Sequence, residues 1–593
     1  MKSNAQLEVG KPTVRDLFEA DRRYVVPLYQ RPYVWTETRQ WEPLWDDVTR
    51  LIESSASSNG YPEHFMGAIV LQHVPKPVDA IPEFTIIDGQ QRLTTLQILL
   101  SAAAKAAASE SLAEEAELLR EVVENRHAEG DEIFKVWPTN QNRVAFRAAI
   151  GDTDIPASPN KKNTIQEAHA FFESRILEWL GKQPPDGLGS AMKRLRVALI
   201  NQLRLVSITL HDQDDPQVIF ETLNDRGEPL AALDLVKNAV FQDALRSRLD
   251  TDAIHSSVWE PILDDQYWRD ERIQGRLRRS VGDLFLMHWL TMRLSRVVLA
   301  TELFSTFRER ELGPKRTQPA DQLIRTLCHD ARVYRSFDSF ESGTVEGEFF
   351  GRLEALDTAA VYPLVLALFT ATSIDDDRRT RSLQILESWF VRRAVMGLST
   401  KSYTNLVVEW LKLPDIDTVP DAALLSQLRQ YHGSSNEWPS DEAIEKRLQD
   451  EPLYKHLRAD RIAMLLRAIE LRLRASAEDF HVSKHLTVEH IIPQKWQKNW
   501  KPEEGNEEAE ALREAAIHLL GNLTVTKGAL NASLSNKPWS QKRDALYEKG
   551  TLVLNGQLLA RYPDKFDESC ITARGHELAK QIVEIWPGPD ADW

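Results

Sequence analysis

Apolar positions along this chain follow different rhythms in different stretches. β-rich runs at Tyr24–Pro27 and Phe65–Gln72 predict short buried strands. From Glu37 to Glu53 the spacing turns to three and four, so that Trp41, Leu44, Trp45, Val48 and Leu51 share one face of an amphipathic helix. Phe84–Ile87 is another β-rich run; it enters Asp88-Gly89, and a helix of Leu, Ala and Gln leaves it, reaching about Ala108. Helical sequence rich in Ala and Glu extends to Val136, and alternation returns at Leu203, Leu205, Val206, Ile208 and Leu210. From roughly Asp250 to Glu478 helical spacing dominates, as in Leu284, Phe285, His288, Trp289 and Met292, with loops at Gly313–Pro319 and Tyr431–Pro439. A strand-like segment ends at His490, and the tail Trp586–Trp593 is expected to fray.

Strands early, helices in the middle and a short strand late predict an α+β, multidomain protein. A length of 593 residues is more than one core fills. The boundaries expected are 1–245, 246–478 and 479–593. No apolar run approaches twenty residues, so no membrane span is predicted. Met1–Gln6 has no apolar stretch of a secretion signal, so the expected location is cytoplasmic. Cys328 and Cys570 are too few and too far apart for a disulfide framework or a zinc ribbon.

The formal charge of -16 argues against a protein that coats DNA nonspecifically, because Lys and Arg on phosphates supply most of that affinity. Contact with nucleic acid would need local basic patches. Candidates are Arg272–Arg279, Arg392-Arg393 with Lys401, and Lys537–Arg543, each of which taken alone reads first as a solvated helix face.

Two N-terminal stretches carry candidate chemistry. In Asp88-Gly89-Gln90-Gln91-Arg92, a strand, a glycine turn and a helix start together present backbone N–H groups and a positive dipole end to an anion. Arg92 adds a fork for phosphate oxygens, and Asp88 a carboxylate for a cation or a water. No Gly-x-x-x-x-Gly-Lys-Ser/Thr loop occurs elsewhere. Without further information the same residues read as a turn before a capped helix. Tyr29, Gln30, Arg31, Pro32, Tyr33 and Trp35 form a dense aromatic and cationic segment, either a recognition surface or a packed loop whose aromatics cap the core.

The C-terminal stretch is more specific. Thr487-Val488-Glu489-His490-Ile491-Ile492-Pro493-Gln494 is followed by Gly521-Asn522-Leu523-Thr524, then Asn531, then Lys542. An acidic residue and His at a strand end, an Asn some thirty residues on and another nine later is the order found in HNH (ββα-metal) nucleases, which this segment resembles. Phosphodiester hydrolysis needs a base to activate water and a cation to absorb charge on phosphate and leaving oxygen. His490 is the candidate base. Glu489 and Asn531 offer oxygen ligands suited to Mg²⁺ or Mn²⁺. The resemblance gives Asn522 the part of a brace that orients the His, and Lys542 is a candidate phosphate contact. The neighbouring His485 and His518 read as a surface and a helix-end histidine.

Tyr29–Trp35, Asp88–Leu96, Ile219–Gly227 running on to Asp234–Lys237, and the HNH segment occur in the order seen in single-chain GmrSD-type proteins, which the chain resembles over nearly its whole length. These are type IV, modification-dependent restriction enzymes, and the BrxU and SspE defence proteins look like members of the same group. The resemblance implies a ParB/sulfiredoxin-like N-terminal domain, a helical middle and a C-terminal nuclease. It further implies that Asp88–Arg92 bind and hydrolyse a nucleoside triphosphate, whether ATP, GTP or CTP, with Asn224 and Arg226 nearby. The implied partner is phage DNA carrying hydroxymethyl- or glucosyl-hydroxymethylcytosine. Phosphorothioate DNA sensed through Tyr29–Pro32 is the alternative the SspE-like members suggest. A nucleotide-dependent regulator with a vestigial nuclease and an RNA-directed nuclease are two others. A homodimer follows from the restriction-enzyme analogy.

Overall fold

The structure, a computed structural model, describes residues 8–55, 62–77, 80–151, 163–210, 231–274, 277–433, 435–474, 482–502 and 505–593. The chain divides into two compact units, one running to Ser257 with Pro319–Asp321 added, the other comprising the remainder.

In the first unit β1 (Glu8–Gly10), β2 (Arg23–Val25), β3 (His64–Val74), β4 (Glu83–Asp88), β5 (Val136–Trp137) and β6 (Leu203–Leu210) form one mixed sheet in the order β1-β6-β3-β4-β2-β5. β3 pairs antiparallel with β4 and parallel with β6, and its register shifts at two places, Phe65/Ala68 and Val70/Leu71. The amphipathic helix expected from Glu37 begins as a π-turn at Glu37–Trp41 and continues as α1 (Glu42–Ser55). At the centre stands α2 (Gln90–Ser109), buried from Gln91 to Ala107 on nearly every face. Its run of Ala102, Ala103, Ala104, Ala106 and Ala107 has high helix propensity and no bulk, so α3 (Thr164–Gly181) packs close beside it. α4 (Ala232–Arg246) follows a stretch, 211–230, that is outside the described residues and includes Asn224 and Arg226.

The second unit is mainly helical, with a small hairpin of β7 (Glu271–Gln274) and β8 (Leu277–Ser280) before α5 (Val281–Leu294). The helices α6 (Asp376–Val395) and α7 (Ala459–Leu473) precede a second antiparallel pair, β9 (Leu486–His490) with β10 (Leu523–Lys527). Then come α8 (Gly528–Leu534), α9 (Trp539–Lys549) and α10 (Glu568–Ile585). Ile491, Ile492, Trp496, Leu534, Trp539 and Ile571 share one apolar cluster, so the loop after β9 and these late helices hold each other. Among the described residues no helix is long and apolar enough to cross a membrane.

Two expectations fail here for physical reasons. The tail does not fray: Trp586 is buried, its carbonyl accepts from Arg392 Nε at 2.6 Å, and Trp593 packs on Trp438 with ring centroids 5.5 Å apart. Arg392 and Arg393 offer no face to DNA. Both are buried at the end of α6, where Arg392 donates to Pro439 O (2.9 Å) and Arg393 to Ser399 O (2.9 Å), Glu437 O (3.0 Å) and Ser435 O (3.1 Å). Loop carbonyls left without partners would be expensive to bury, and the guanidinium forks satisfy them.

His288 on α5 is fully enclosed, with Nδ1 3.0 Å from the Tyr334 hydroxyl, and burial drives its pKa down to about 3. Because the unfolded imidazole takes a proton near 6.5 while the folded one does not, stability contributed here is present above pH 6.5 and is lost as pH falls toward 3. The expected slope is about 1 kcal/mol per pH unit. Denaturant unfolding at pH 7 and 4.5 should show a weaker pH dependence in His288→Gln than in the parent, and equal slopes would refute the assignment.

Candidate active site

The β9–β10 hairpin brings the C-terminal candidates together. Leu523 lies opposite His490 and Thr524 opposite Glu489, so the strand ends and the Asn522 turn meet. Asn522 is buried and ties that junction with its whole side chain. Its Oδ1 accepts from Ile492 N–H at 2.8 Å, and its Nδ2 donates to Ile492 O and Ile517 O, both at 2.8 Å. Its carbonyl accepts from Ile491 N–H at 2.9 Å. The turn sits directly against α10: a Cβ on Gly521 would fall inside contact distance of the Ile571 carbonyl oxygen, and Arg574 Nη1 donates to Gly521 O (2.8 Å) and Leu523 O (2.7 Å). These contacts fix the backbone on which His490 stands.

Glu489 is buried, and its Oε1 receives Lys542 Nζ at 2.6 Å; the same ammonium donates to His490 O at 2.7 Å. Lys542 is 1% exposed. The expected phosphate contact is thus a buried strut between α9 and the end of β9, with no free ammonium to offer a substrate. Burial pushes the Glu489 carboxyl up and the Lys542 ammonium down, each opposed by the charge of the other. Asn531 on α8 donates through Nδ2 to Thr487 Oγ1 and Val488 O, both at 2.9 Å, so its carbonyl oxygen is the atom that could meet a cation.

His490 is buried, and its Nε2 has no hydrogen-bond partner among the described residues. Tyr454, from the short helix Leu453–His456, lies edge-on to its ring at 4.5 Å between centroids, and His518 lies edge-on at 5.5 Å. The Tyr454 backbone N–H also donates to His518 O at 3.2 Å. Burial, then the charges His518 and Lys542 would carry, lower the His490 pKa to about 4. The imidazole is therefore neutral at pH 7, the form that can take a proton. His518, read from sequence as a helix-end residue, belongs to this site, and Tyr454 was not singled out; it stands thirty-six positions before His490, and no local spacing links the two.

In the first unit the Asp88–Arg92 turn is built as a strand-to-helix junction. Gly89 caps α2 with φ +91°, and a Cβ there would stand 2.6 Å from Ile69 Cγ2 and 3.1 Å from Ile69 Cα. Gly89→Ala is expected to destabilise by about 2–4 kcal/mol, the sum of left-handed strain and overpacking, read by denaturant unfolding. A change under 1 kcal/mol would contradict the packing described. Arg92 Nη1 donates to Ala68 O at 2.9 Å and lies 3.8 Å from Asp88 Oδ2. Burial raises the Asp88 pKa against the charges of Arg92 and Arg31.

The Tyr29–Trp35 loop wraps this turn. Gln30 Nε2 donates to Ile86 O (2.6 Å), Gln90 Nε2 to Arg31 O (3.0 Å) and Gln91 Nε2 to Pro32 O (3.1 Å), while Val34 N–H donates to Gln91 Oε1 (2.9 Å). The Tyr33 hydroxyl meets Thr95 Oγ1 at 2.7 Å, and Tyr29 stacks on Phe241. Tyr29, Gln30 and Tyr33 are buried, so the packed-loop reading describes them; Arg31, Pro32 and Trp35 remain partly exposed. The two glutamines of the motif are the fasteners of this loop.

Two family models match the chain. That of the GmrSD restriction endonuclease N-terminal domain covers residues 14–241, and that of the GmrSD restriction endonucleases' C-terminal domain covers 438–581. No curated protein matches. The first spans the Asp88–Arg92 turn and its loop; the second contains Tyr454, His490, Asn522, Asn531 and Lys542. With both domains present in order on one polypeptide, the chain belongs to the GmrSD-type restriction endonucleases.

Proposed function

We propose that the protein is a metal-dependent HNH endonuclease that cuts DNA carrying modified cytosines, such as the hydroxymethyl or glucosyl-hydroxymethyl forms, under the control of a nucleoside triphosphate bound at Asp88–Arg92 in a ParB/sulfiredoxin-like N-terminal domain. The observation that carries the nuclease half is a buried His490 whose Nε2 is unpartnered among the described residues, beside a carboxylate, on a junction braced by Asn522. A hard cation that retains several waters needs only one or two protein oxygens. Glu489 and Asn531 supply that number, and no cluster of three or more His, Cys, Asp or Glu suggests a closed site among the described residues. When bound, such a cation supplies charge stabilisation at the phosphate.

This chain's own residues do the rest. His490 takes a proton from water; Lys542 and Asn522 hold the backbone that aims it; Tyr454 and His518 keep the ring dry and upright. At the other site Arg92 and Arg31 set a positive field around Asp88, which supports a phosphate reading. Control by the nucleotide requires that it bind two conformations unequally.

The test is cleavage of one phage genome in two forms, plain cytosine and glucosylated hydroxymethylcytosine, with Mg²⁺ or Mn²⁺ and with or without nucleotide. Cutting confined to the modified form is expected, and Asp88→Ala should remove nucleotide hydrolysis while leaving the fold intact. Equal cutting of both forms would reject modification dependence. Hydrolysis indifferent to DNA and to Asp88 would reject the control.

A further inference from the structure

At the far end of the β9–β10 hairpin from His490 the second unit holds a cavity of about 860 Å³. Leu486 and Lys527, a register pair, stand at its edge, and α8 contributes Ala529, Leu530 and Ser533 to it while turning Asn531 toward β9. Among the described residues that line it there is no Asp or Glu. In a chain of formal charge -16 that is a local reversal of sign. Lys484, Lys527 and Lys549 line it, all exposed and none in an ion pair among the described residues, and His485 joins them. The wall also holds Thr526, 1% exposed, whose Oγ1 has no hydrogen-bond partner among the described residues. Exposed ammonium groups with no carboxylate in the same wall are the contacts a phosphate backbone takes.

We infer that this cavity grips the phosphodiester backbone of the DNA being cut, with Lys484, Lys527 and Lys549 as phosphate contacts. The inference rests on the nuclease reading for the position of the cut. β9 has five residues, so the cavity edge lies about 13 Å from His490 along the strand, about four base-pair rises along a duplex axis. The same helix, α8, borders both places, so backbone held in the cavity is registered against the reacting phosphate. This also explains how a net acidic protein holds DNA: the contact is gathered in a wall without Asp or Glu, while Lys484 also borders a second cavity that Glu271, Asp338, Glu354 and Asp357 line.

The experiment is binding of a fluorescent DNA duplex to the full chain, with a chelator present, across 50 to 200 mM salt. The parent is compared with the triple variant Lys484→Gln, Lys527→Gln, Lys549→Gln, and with the corresponding triple Lys→Arg variant. Loss of three phosphate contacts should flatten the log–log salt slope by about 2.7, so that the parent loses about 40-fold more affinity over this range than the Gln variant. The Arg variant should keep the parental slope. Identical slopes for parent and Gln variant overturn the proposal, as does ATP displacing the duplex from the parent alone, which would make the cavity a nucleotide site. A separate cleavage assay on glucosylated hydroxymethylcytosine DNA, with Mg²⁺ or Mn²⁺ and with nucleotide, distinguishes the two readings. Cutting by the parent with an unchanged variant slope removes the cavity and leaves the nuclease. A flattened slope with no cutting by the parent keeps the backbone grip and removes the nuclease.

Discussion

Replacing His490 by alanine is expected to lower DNA cleavage by about 10²- to 10⁴-fold, the range for a lost general base. Among the described residues nothing hydrogen-bonds the ring's Nε2, so removing it breaks no buried polar pairing at that atom there. It does remove the aromatic contact with Tyr454, and circular dichroism with an unfolding curve will separate a lost base from a loosened fold. Nucleotide hydrolysis should survive, since Asp88 and Arg92 belong to the other unit. A His490→Ala protein that cuts at the parental rate would end the assignment of the base, whatever the metal supplied.

Lys542→Met should produce the largest loss of stability. Methionine keeps much of the apolar stem but removes the ammonium, leaving the buried Glu489 carboxylate and His490 carbonyl without their donor. Breaking one side of a buried pair costs about 3–5 kcal/mol, far more than the pair itself contributes against a neutral replacement. The double variant Glu489→Gln with Lys542→Met should therefore regain a good part of the loss, because no charge is stranded. Denaturant unfolding of the parent, both single variants and the double closes the cycle. If Lys542→Met falls within 1 kcal/mol of the parent, Lys542 is not the strut described here.

Local sequence was most legible where function and backbone constraint coincide. Glu489 and His490 are adjacent and their place at a strand end is legible locally, whereas Asn522, thirty-two positions after His490, is tied to them only by the resemblance to HNH nucleases. What spacing could not show was the use of each group. Lys542 looked like a phosphate hand because an exposed Lys at a helix start usually is solvated; only the packing of α9 against β9 encloses it. Arg392 and Arg393 had the charge of a DNA face, yet their partners are carbonyls from loops and from the tail, up to about two hundred positions away. The tail itself reads as frayed because terminal residues are poorly ordered unless something ties them down. Trp586, buried against α6, and Trp593, half-buried on Trp438, decide otherwise. Tyr454 reaches His490 by tertiary folding alone, which no pattern of local periodicity encodes.

The burial of α2 has a mechanical meaning. Twenty residues of α-helix form a rod about 30 Å long, and this one is packed on nearly every face by side chains that leave no slack. Such a rod shifts as one piece or stays put. Its first turn carries Gln90, Gln91 and Arg92, so any occupant that displaced that turn would be felt at the opposite end, where Ser111 takes a positive φ of 61° and the chain reverses into the next helix. The turn at Gly89 and that distant corner are thus two ends of a single lever.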